Sequence, residues 1–460
     1  MIAAIALDLG STSIKAGLLE QDGTLVNIVA LPAPAIHADG GHYESDALAY
    51  AWTAEQVLNT CVAQSDGSPP LGLCCQRSSF LLWEKDSGKP ITPLISWQDN
   101  RGAESCVALQ AQEALISRLS GLRLSPYFFA TKLRVVLQQN PQWRERLECG
   151  DLLVGTLDTF LIWRWTGGKQ HITDASMAAR TLLMDIRQLQ WSPVLCGLFD
   201  IAPGILPVIK TSNGLNVSLD NGLALQASLG DQSAALLASV GDDREAALVN
   251  LGTGGFVIRY LAEAQGSTDG YLRTLVYQPS ALPAHMAIEG TLNSITAALA
   301  PYPVAACKVE NLAADDIFCL AEPSGLGAPY FRNDIGLRFS RPVEQLTQKQ
   351  IACLLLEAII FRVVRIVQDF HRTAVIKRVY LAGGLSELAS LQQGIAQCLH
   401  CDVYRLQQRD ASLHGTAMLA AARSQLSHRD AEKIQITHRN LDLPEKYLRW
   451  KRWLDALLDS

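Results

Sequence analysis

The sequence predicts an α/β protein built from two related domains, and three observations carry that expectation. The chain of 460 residues is too long for one comfortable core. It opens on two β-patterned apolar runs joined by a turn of small hydroxylated residues, IAAIALDLGSTSIKAGLLEQDGTLV (2–26). After a charged break at 241–245, AALVNLGTGGFVIRYL (246–261) repeats the same plan of apolar strand, Gly/Thr turn and apolar strand. A repeat at the head of each half describes paired domains, not a solenoid, whose period would be about 20–50 residues. The expected domains are 1–241 and 242–460.

Composition narrows the class. Apolar residues make up 48% and charged residues 18%, the balance of an ordered globular protein. A net charge of −6 argues against nucleic acid or an anionic membrane as the main partner. No basic segment leads into a cleavable apolar one and no run reaches the roughly 18–20 apolar residues of a membrane span, so a cytoplasmic protein is expected. Eleven scattered cysteines, an odd number, do not read as a disulfide framework. Cys398 and Cys401 have zinc-like spacing but no second pair of ligands, and read as structural.

The elements follow in order. Residues 47–64 form an amphipathic helix after a polar start at 40–46. LGLCCQRSSFLLWE (71–84) reads as a buried strand, a polar interruption and a second apolar run, and PLISWQDNRG (93–102) repeats that habit. Strand ends are where sites form in open α/β sheets, so these two polar endings are candidates for one pocket. Helical patterns occupy 108–121 and part of 125–147, the latter stopped at Asn140-Pro141. A Gly-Gly stop closes 151–168, a Thr-Asp start opens 171–186, and short strands fill the Pro/Gly-rich tract from Ile201 to Gly230 before a helix at 234–241. The second half holds a long apolar helix at 346–372, a strand, Gly-Gly turn and helix at 376–399, a strand and small-residue helix at 402–426, and an amphipathic tail at 444–458 whose interleaved charges do not suit a membrane anchor.

The chemistry concentrates in the opening turn. Gly10 lets the backbone close on a ligand, and the amides and hydroxyls of Ser11, Thr12 and Ser13 are donors for phosphate oxygens. Asp8 offers the carboxylate that a hydrated Mg²⁺ prefers. Ordinary turn chemistry explains Gly-Ser-Thr equally well when the turn is taken alone. In the second copy Asn250 stands near the place of Asp8, so only the first hairpin keeps a carboxylate for a metal. No GxxxxGK[ST] occurs, which excludes a P-loop.

Nine motifs in order, ALDLGSTSIKAG (6–17), QRSSFLLWEKDSGKPITPLISWQDNR (76–101), SPYFFATKLR (125–134), GTLDTFLIWRWTGG (155–168), TDASMAARTLLMDI (173–186), GDQSAAL (230–236), NLGTGGF (250–256), SGLGAPYF (324–331) and LAGGLSE (381–387), resemble the FGGY carbohydrate kinases, nearest the glycerol kinase branch. The resemblance implies two actin-like, ribonuclease H-like ATPase domains facing a central cleft. It implies an ATP- and Mg²⁺-dependent phosphotransferase acting on a small sugar or polyol, with a homodimer as the family habit. By the same resemblance Asp231 takes the proton from the attacking hydroxyl. A helix N-cap is the plain reading of that residue. Asp8 would hold Mg²⁺, while Ser11, Thr12, Ser13 and Lys15 meet the phosphates from one domain and Gly252, Thr253 and Gly254 from the other. Lys15 reads otherwise as a solvated strand residue. Gly383 and Gly384 would admit the adenosine and α-phosphate. In the acceptor pocket Arg77, Tyr127, Asp231 and Gln232 would bind hydroxyls, and Trp97 and Phe256 would clasp the carbon chain unless they are simply core aromatics.

Two departures bear on specificity. Glycerol kinases carry a glutamate after the arginine of this Gln-Arg pair, and here the residue is Ser78. A short neutral hydroxyl accepts fewer hydrogen bonds, which points to a tetritol, a ketopentose or a related sugar over glycerol, with a true glycerol kinase as the alternative. The segment from Gly290 to Ser324 is shorter than in the family and Leu388 replaces a common asparagine, so the residues expected to select adenine are reduced. A reading in another class, a non-catalytic nucleotide-binding regulator or chaperone-like relative, has no use for the retained Asp231 and acceptor residues. A dehydrogenase finds no strand-GxGxxG-helix unit.

Overall fold

The computed structural model describes residues 1–65, 67–252, 254–261, 270–332, 334–407, 410–422 and 431–459. The chain divides into two compact units. The first takes Met1–Gly241 together with Thr274–Met286 and Asp410–Leu426, and the second takes Asp242–Arg273, Ala287–Arg409 and Ser427–Ser460. Two stretches from beyond residue 242 thus pack with the first unit, which a single cut does not foresee.

The first unit is built on a six-stranded sheet in the order Asn213–Ser218, Ala224–Gly230, Leu71–Cys75, Ile2–Leu9, Ser13–Glu20 and Leu25–Pro32. Ile2–Leu9 pairs antiparallel with Ser13–Glu20, Asp8 opposite Lys15, and parallel with Leu71–Cys75. Ala224–Gly230 is also parallel to Leu71–Cys75, so Leu9, Cys75 and Gly230 stand in one row. Parallel strands are covered on both faces, and these carry near-continuous apolar runs. A second sheet joins His37–Asp39, His42–Ser45, Leu94–Ile95, Phe80–Glu84 and Leu152–Thr156. The strand expected over 93–102 shrinks to Leu94–Ile95, because the residues after it fold into turns around Ser96 and Asp99.

Two helix expectations shift. Pro141 starts a helix, Pro141–Glu148, as well as ending Phe129–Gln139, since its fixed φ and missing N–H suit the first helical position. The helix expected from 234 begins at Asp231, the residue after an extended Gly230.

The helix Ala411–Ala420 joins the first unit through small residues. A Cβ on Gly72 would lie 2.7 Å from the Thr416 carbonyl oxygen, and one on Gly415 would collide with the carbonyl of Ala234. The helix therefore lies almost in backbone contact with both the strand Leu71–Cys75 and the helix Asp231–Val240.

In the second unit Ala246–Leu251 and Gly255–Tyr260 form the antiparallel copy of the opening hairpin, with Arg378–Ala382 parallel to the first strand and residues 287–292 pairing with the second. Asn250 is the penultimate residue of its strand, as Asp8 is of Ile2–Leu9. The helix Gln348–Thr373 is buried through most of its length. Its buried Glu357 and Arg362 pair with Lys446 and Glu322, and no helix among the described residues is long and apolar enough to cross a membrane. The tail helix Asp442–Leu458 buries Leu443, Lys446, Tyr447, Trp450 and Leu454, and Tyr447 donates to Gln368 at 2.8 Å, so its apolar stripe is spent on this unit.

Replacing Gly415 by Val should cost about 1–3 kcal/mol through overpacking, lowering the melting temperature by several degrees in thermal denaturation. The same change at Gly384, beside which no atom lies within 4 Å of an added Cβ, should leave it nearly unchanged.

Candidate active site

In the first unit the row Leu9, Cys75 and Gly230 hands over to Gly10, Gln76 and Asp231, so three chain segments leave the sheet side by side. The opening turn is tight, with an added Cβ on Gly10 only 2.7 Å from the Ser13 carbonyl oxygen. Tyr50, on the helix Ala47–Val62, donates its hydroxyl to the Gly10 carbonyl at 2.8 Å and fixes the turn from below.

Asp8 sits at the end of its strand with one oxygen satisfied. Oδ2 accepts from the Ser412 hydroxyl at 2.6 Å, whereas Oδ1 is out of reach of solvent and has no partner. Burial, reinforced by the charge of Asp231, pushes the carboxyl up to about 6, against the Ser412 bond, the Cys74 thiol and Lys15, which pull it down. Lys15 donates to Asp410 at 2.5 Å. Both partners, Asp410 and Ser412, belong to the N-terminal end of the helix Ala411–Ala420, about 400 residues away in sequence.

Asp231 opens its helix as the first helical residue; the N-cap position belongs to Gly230, and the carboxylate Oδ1 accepts from the Gln232 amide at 2.7 Å. Arg77 lies across Gly230, where an added Cβ would meet its Cδ at 2.9 Å. From there its Nε reaches Asp231 Oδ1 at 3.6 Å and its terminal nitrogen bonds the Gln232 side chain. Protein surrounds the Asp231 carboxylate on most sides and raises its pKa, with Arg77 as the main opposing influence, yet 34% of the side chain stays open. An open carboxylate held away from its usual ionisation is suited to accept a proton.

A buried network stands behind Asp231. Asp174 caps the short helix Ala175–Ala178, accepts from Ser212 Oγ at 2.6 Å, and takes the Ser176 hydroxyl at 3.0 Å. Ser176 in turn accepts the Gly230 amide at 2.9 Å, fixing the end of the strand that carries Asp231. Burial raises Asp174 to about 7.

Ser78 follows Arg77 in an unusual backbone conformation. Its φ is +66°, and its hydroxyl is buried and donates to the Arg180 carbonyl at 3.0 Å, so it does not present a free hydroxyl. Trp97 and Tyr127 are 40% and 51% exposed, aromatic faces available to a ligand and not core residues. The structure thus brings Asp8, Gly10, Ser11, Thr12, Ser13, Lys15, Arg77, Ser78, Trp97, Tyr127, Asp231 and Gln232 into the first unit. Phe256, Gly252, Gly254, Gly383 and Gly384 belong to the second unit, and Thr253 lies outside the described residues. There Gly383 has φ +87°, and a side chain on it would come within 2.5 Å of Asn250 Oδ1 and the Leu251 carbonyl, so a backbone approach is built in. Phe256 pairs with Asn250 and Thr291 within its sheet. Asp410, Ser412, Asp174 and Tyr50 escape the sequence reading; for Asp174 the Thr-Asp helix start was the available signal.

Among the described residues no group of three or more His, Cys, Asp or Glu could hold a metal unaided. The orphaned Oδ1 of Asp8 suits Mg²⁺, which takes one or two carboxylates and completes its shell with phosphate oxygens and water.

The comparisons with known proteins follow the same lines. The model of the FGGY family of carbohydrate kinases, N-terminal domain, matches residues 3–249, and that of its C-terminal domain matches residues 247–424. A glycerol kinase of Alkalilimnicola ehrlichii is 31% identical over 451 residues, covering 92% of this chain and 90% of the relative. One of Saccharolobus solfataricus is 29% identical, covering 90% and 87%. Among solved structures, the Plasmodium falciparum glycerol kinase with ADP superposes with a TM-score of 0.85 at 22% identity, covering 98% of both chains. A ligand-bound xylulose kinase of Lactobacillus acidophilus gives 0.80 at 18%, covering 99% of this chain and 98% of that one. These likenesses carry the fold, which is the actin-like ATPase fold of such kinases.

Asp8→Asn supplies a test of the carboxylate. Because its folded value of about 6 lies above the unfolded 3.8, the native state binds the extra proton and stability falls as pH rises through that window. The ligand-free variant should melt higher than the parent at pH 7.5, with the gain vanishing below about pH 4, and should lose the added stability that Mg²⁺ with ADP confers on the parent. The chain belongs to the FGGY family of carbohydrate kinases, ATP-using phosphotransferases with an alcohol group as acceptor.

Proposed function

We propose that this kinase phosphorylates a hydroxyl of a tetritol, a ketopentose or a related small sugar in preference to glycerol, with Mg²⁺ at Asp8 and Asp231 as the proton acceptor. The observation that carries the reading is the pairing of Arg77 with Asp231 and Gln232 at the open end of the strand row. Arg77 and Gln232 supply donors and an acceptor for neighbouring hydroxyls, and Asp231 receives the proton as the nucleophilic oxygen forms its bond to phosphorus. The opening turn from Gly10 to Ser13 receives phosphate oxygens through its amides and hydroxyls, and Lys15 exchanges Asp410 for phosphate. Mg²⁺, when bound, neutralises charge on the transferring group. The glycine turns Gly252–Gly254 and Gly383–Gly384 are assigned to the nucleotide from the second unit, with Thr253 by resemblance. Preference against glycerol rests on Ser78, which puts no carboxylate where glycerol kinases have one and donates its hydroxyl to the Arg180 carbonyl. A cytoplasmic place of work is part of the proposal, on the odd number of scattered cysteines in the sequence.

Coupled ADP-release assays over glycerol, tetritols and ketopentoses check the acceptor, and a clear kcat/KM preference for glycerol would sink the proposal. Asp231→Asn should lower kcat by roughly 10²–10⁴-fold. In the parent, kcat should fall as pH is lowered, with the acid limb above the usual carboxylate range near about 4, because the base works only ionised. Since Arg77 favours that ionised form, Arg77→Leu should move the limb to higher pH; a limb that stays in place would assign it to another group.

A further inference from the structure

Lys132, on the helix Phe129–Gln139, is fully buried. Its ammonium donates to two main-chain carbonyls, Ser78 O at 3.0 Å and Ser96 O at 2.7 Å, and it forms no ion pair with a carboxylate among the described residues. Its neighbours in charge are Asp99 and Arg101, and these are occupied with each other at 2.7 Å; the Phe80 ring lies 5.7 Å from the nitrogen. Burial pulls the group down to about 7. An apolar side chain of the same length would leave both carbonyls without a donor, so what the lysine supplies here is a link between two main-chain segments.

The two carbonyls show what the cation does. Ser78 directly follows Arg77 and has a left-handed φ of +66°, a conformation a serine keeps only when its surroundings enforce it. Ser96 directly precedes Trp97. A second tie runs parallel to the first: the Trp97 amide donates to Ser79 Oγ at 2.9 Å, and Ser79 donates to Gln76 Oε1 at 3.0 Å. One ammonium and one hydroxyl therefore hold together the turns that carry Arg77 and Trp97.

We propose that Lys132 and Ser79 are positioning residues that set the spacing between Arg77 and Trp97, and through it the length of the acceptor the pocket receives. The inference rests on the kinase reading above. Lys132 touches no substrate; it acts through two carbonyls.

The test compares Lys132→Met and Ser79→Ala with the parent. Lys132→Met should raise KM for the best acceptor by about tenfold or more, since displacements on the order of 1 Å in positioning groups have effects of this size, while KM for ATP stays within about twofold even though the two carbonyls lose their donor and the melting temperature falls by a few degrees. Ser79→Ala should move the acceptor KM in the same direction and leave the cation in place, which keeps the question open to decision if Lys132→Met does not fold. An acceptor KM unchanged in the folded variants, or a rise of both KM values together with lower melting temperature, overturns the inference and returns both residues to a structural role. Should the parent release no ADP with any sugar or polyol, the kinase reading fails separately, and hydrogen exchange decides the clamp. Amides of residues 77–79 and 97–99 should then exchange about tenfold faster in Lys132→Met while the helix Phe129–Gln139 keeps its protection, and unchanged exchange overturns it.

Discussion

The parallel register of Ile2–Leu9, Leu71–Cys75 and Ala224–Gly230 is the constraint on which the first unit's chemistry depends. Because the three strands run the same way and stop on the same row, their following residues emerge together, and Gly10, Arg77 and Asp231 share one edge. A register slip by a single residue would turn every side chain of a strand to the other face. The glycines make the row usable. Gly230 leaves space for Arg77 to lie across the strand end, and Gly72 and Gly415 let the helix Ala411–Ala420 settle close enough to reach Asp8 and Lys15.

The edge is then stiffened by buried polar groups, each serving a backbone that carries a site residue. Tyr50 holds the Gly10 carbonyl, Ser176 the Gly230 amide, and Lys132 the carbonyls of Ser78 and Ser96. Such bonds contribute modestly to net stability but are expensive to leave unmade, so they fix geometry more than they add free energy.

The legible part of the molecule is the part written in local pattern. The helices at 47–62 and 348–373 and both hairpins declare themselves by period and turn chemistry. Pro141 is ambiguous in principle, since proline both ends one helix and suits the first position of the next. Asp410 and Ser412 are illegible for a different reason. Their partners lie 395 and 404 residues away, and nothing local distinguishes an aspartate at a helix start from one that neutralises Lys15. Lys132 reads as one more polar position on an amphipathic helix; only the three-dimensional arrangement reveals that it is buried. Ser78 shows the converse, a residue whose identity is informative in sequence but whose conformation, with φ +66° and its hydroxyl donated to the Arg180 carbonyl, changes what it can offer.

Electrostatics explains why the first unit's edge is built for a ligand with compensating charge. Asp8 and Asp231 each sit where burial disfavours ionisation, and the charge of Asp231 raises Asp8 further. Arg77 opposes this at Asp231, and Ser412, the Cys74 thiol and Lys15 oppose it at Asp8, but Oδ1 of Asp8 is left without a hydrogen bond of good geometry. A fold selected for stability alone would remove such a group, because an unpaired buried acceptor costs about 1–3 kcal/mol. Mg²⁺, were Asp8 to hold it, would satisfy that oxygen and weaken the repulsion between the two carboxylates. At Asp231 the influence that favours ionisation is already part of the chain, so under the kinase reading Arg77 would both bind a hydroxyl and keep the neighbouring carboxylate able to take that hydroxyl's proton.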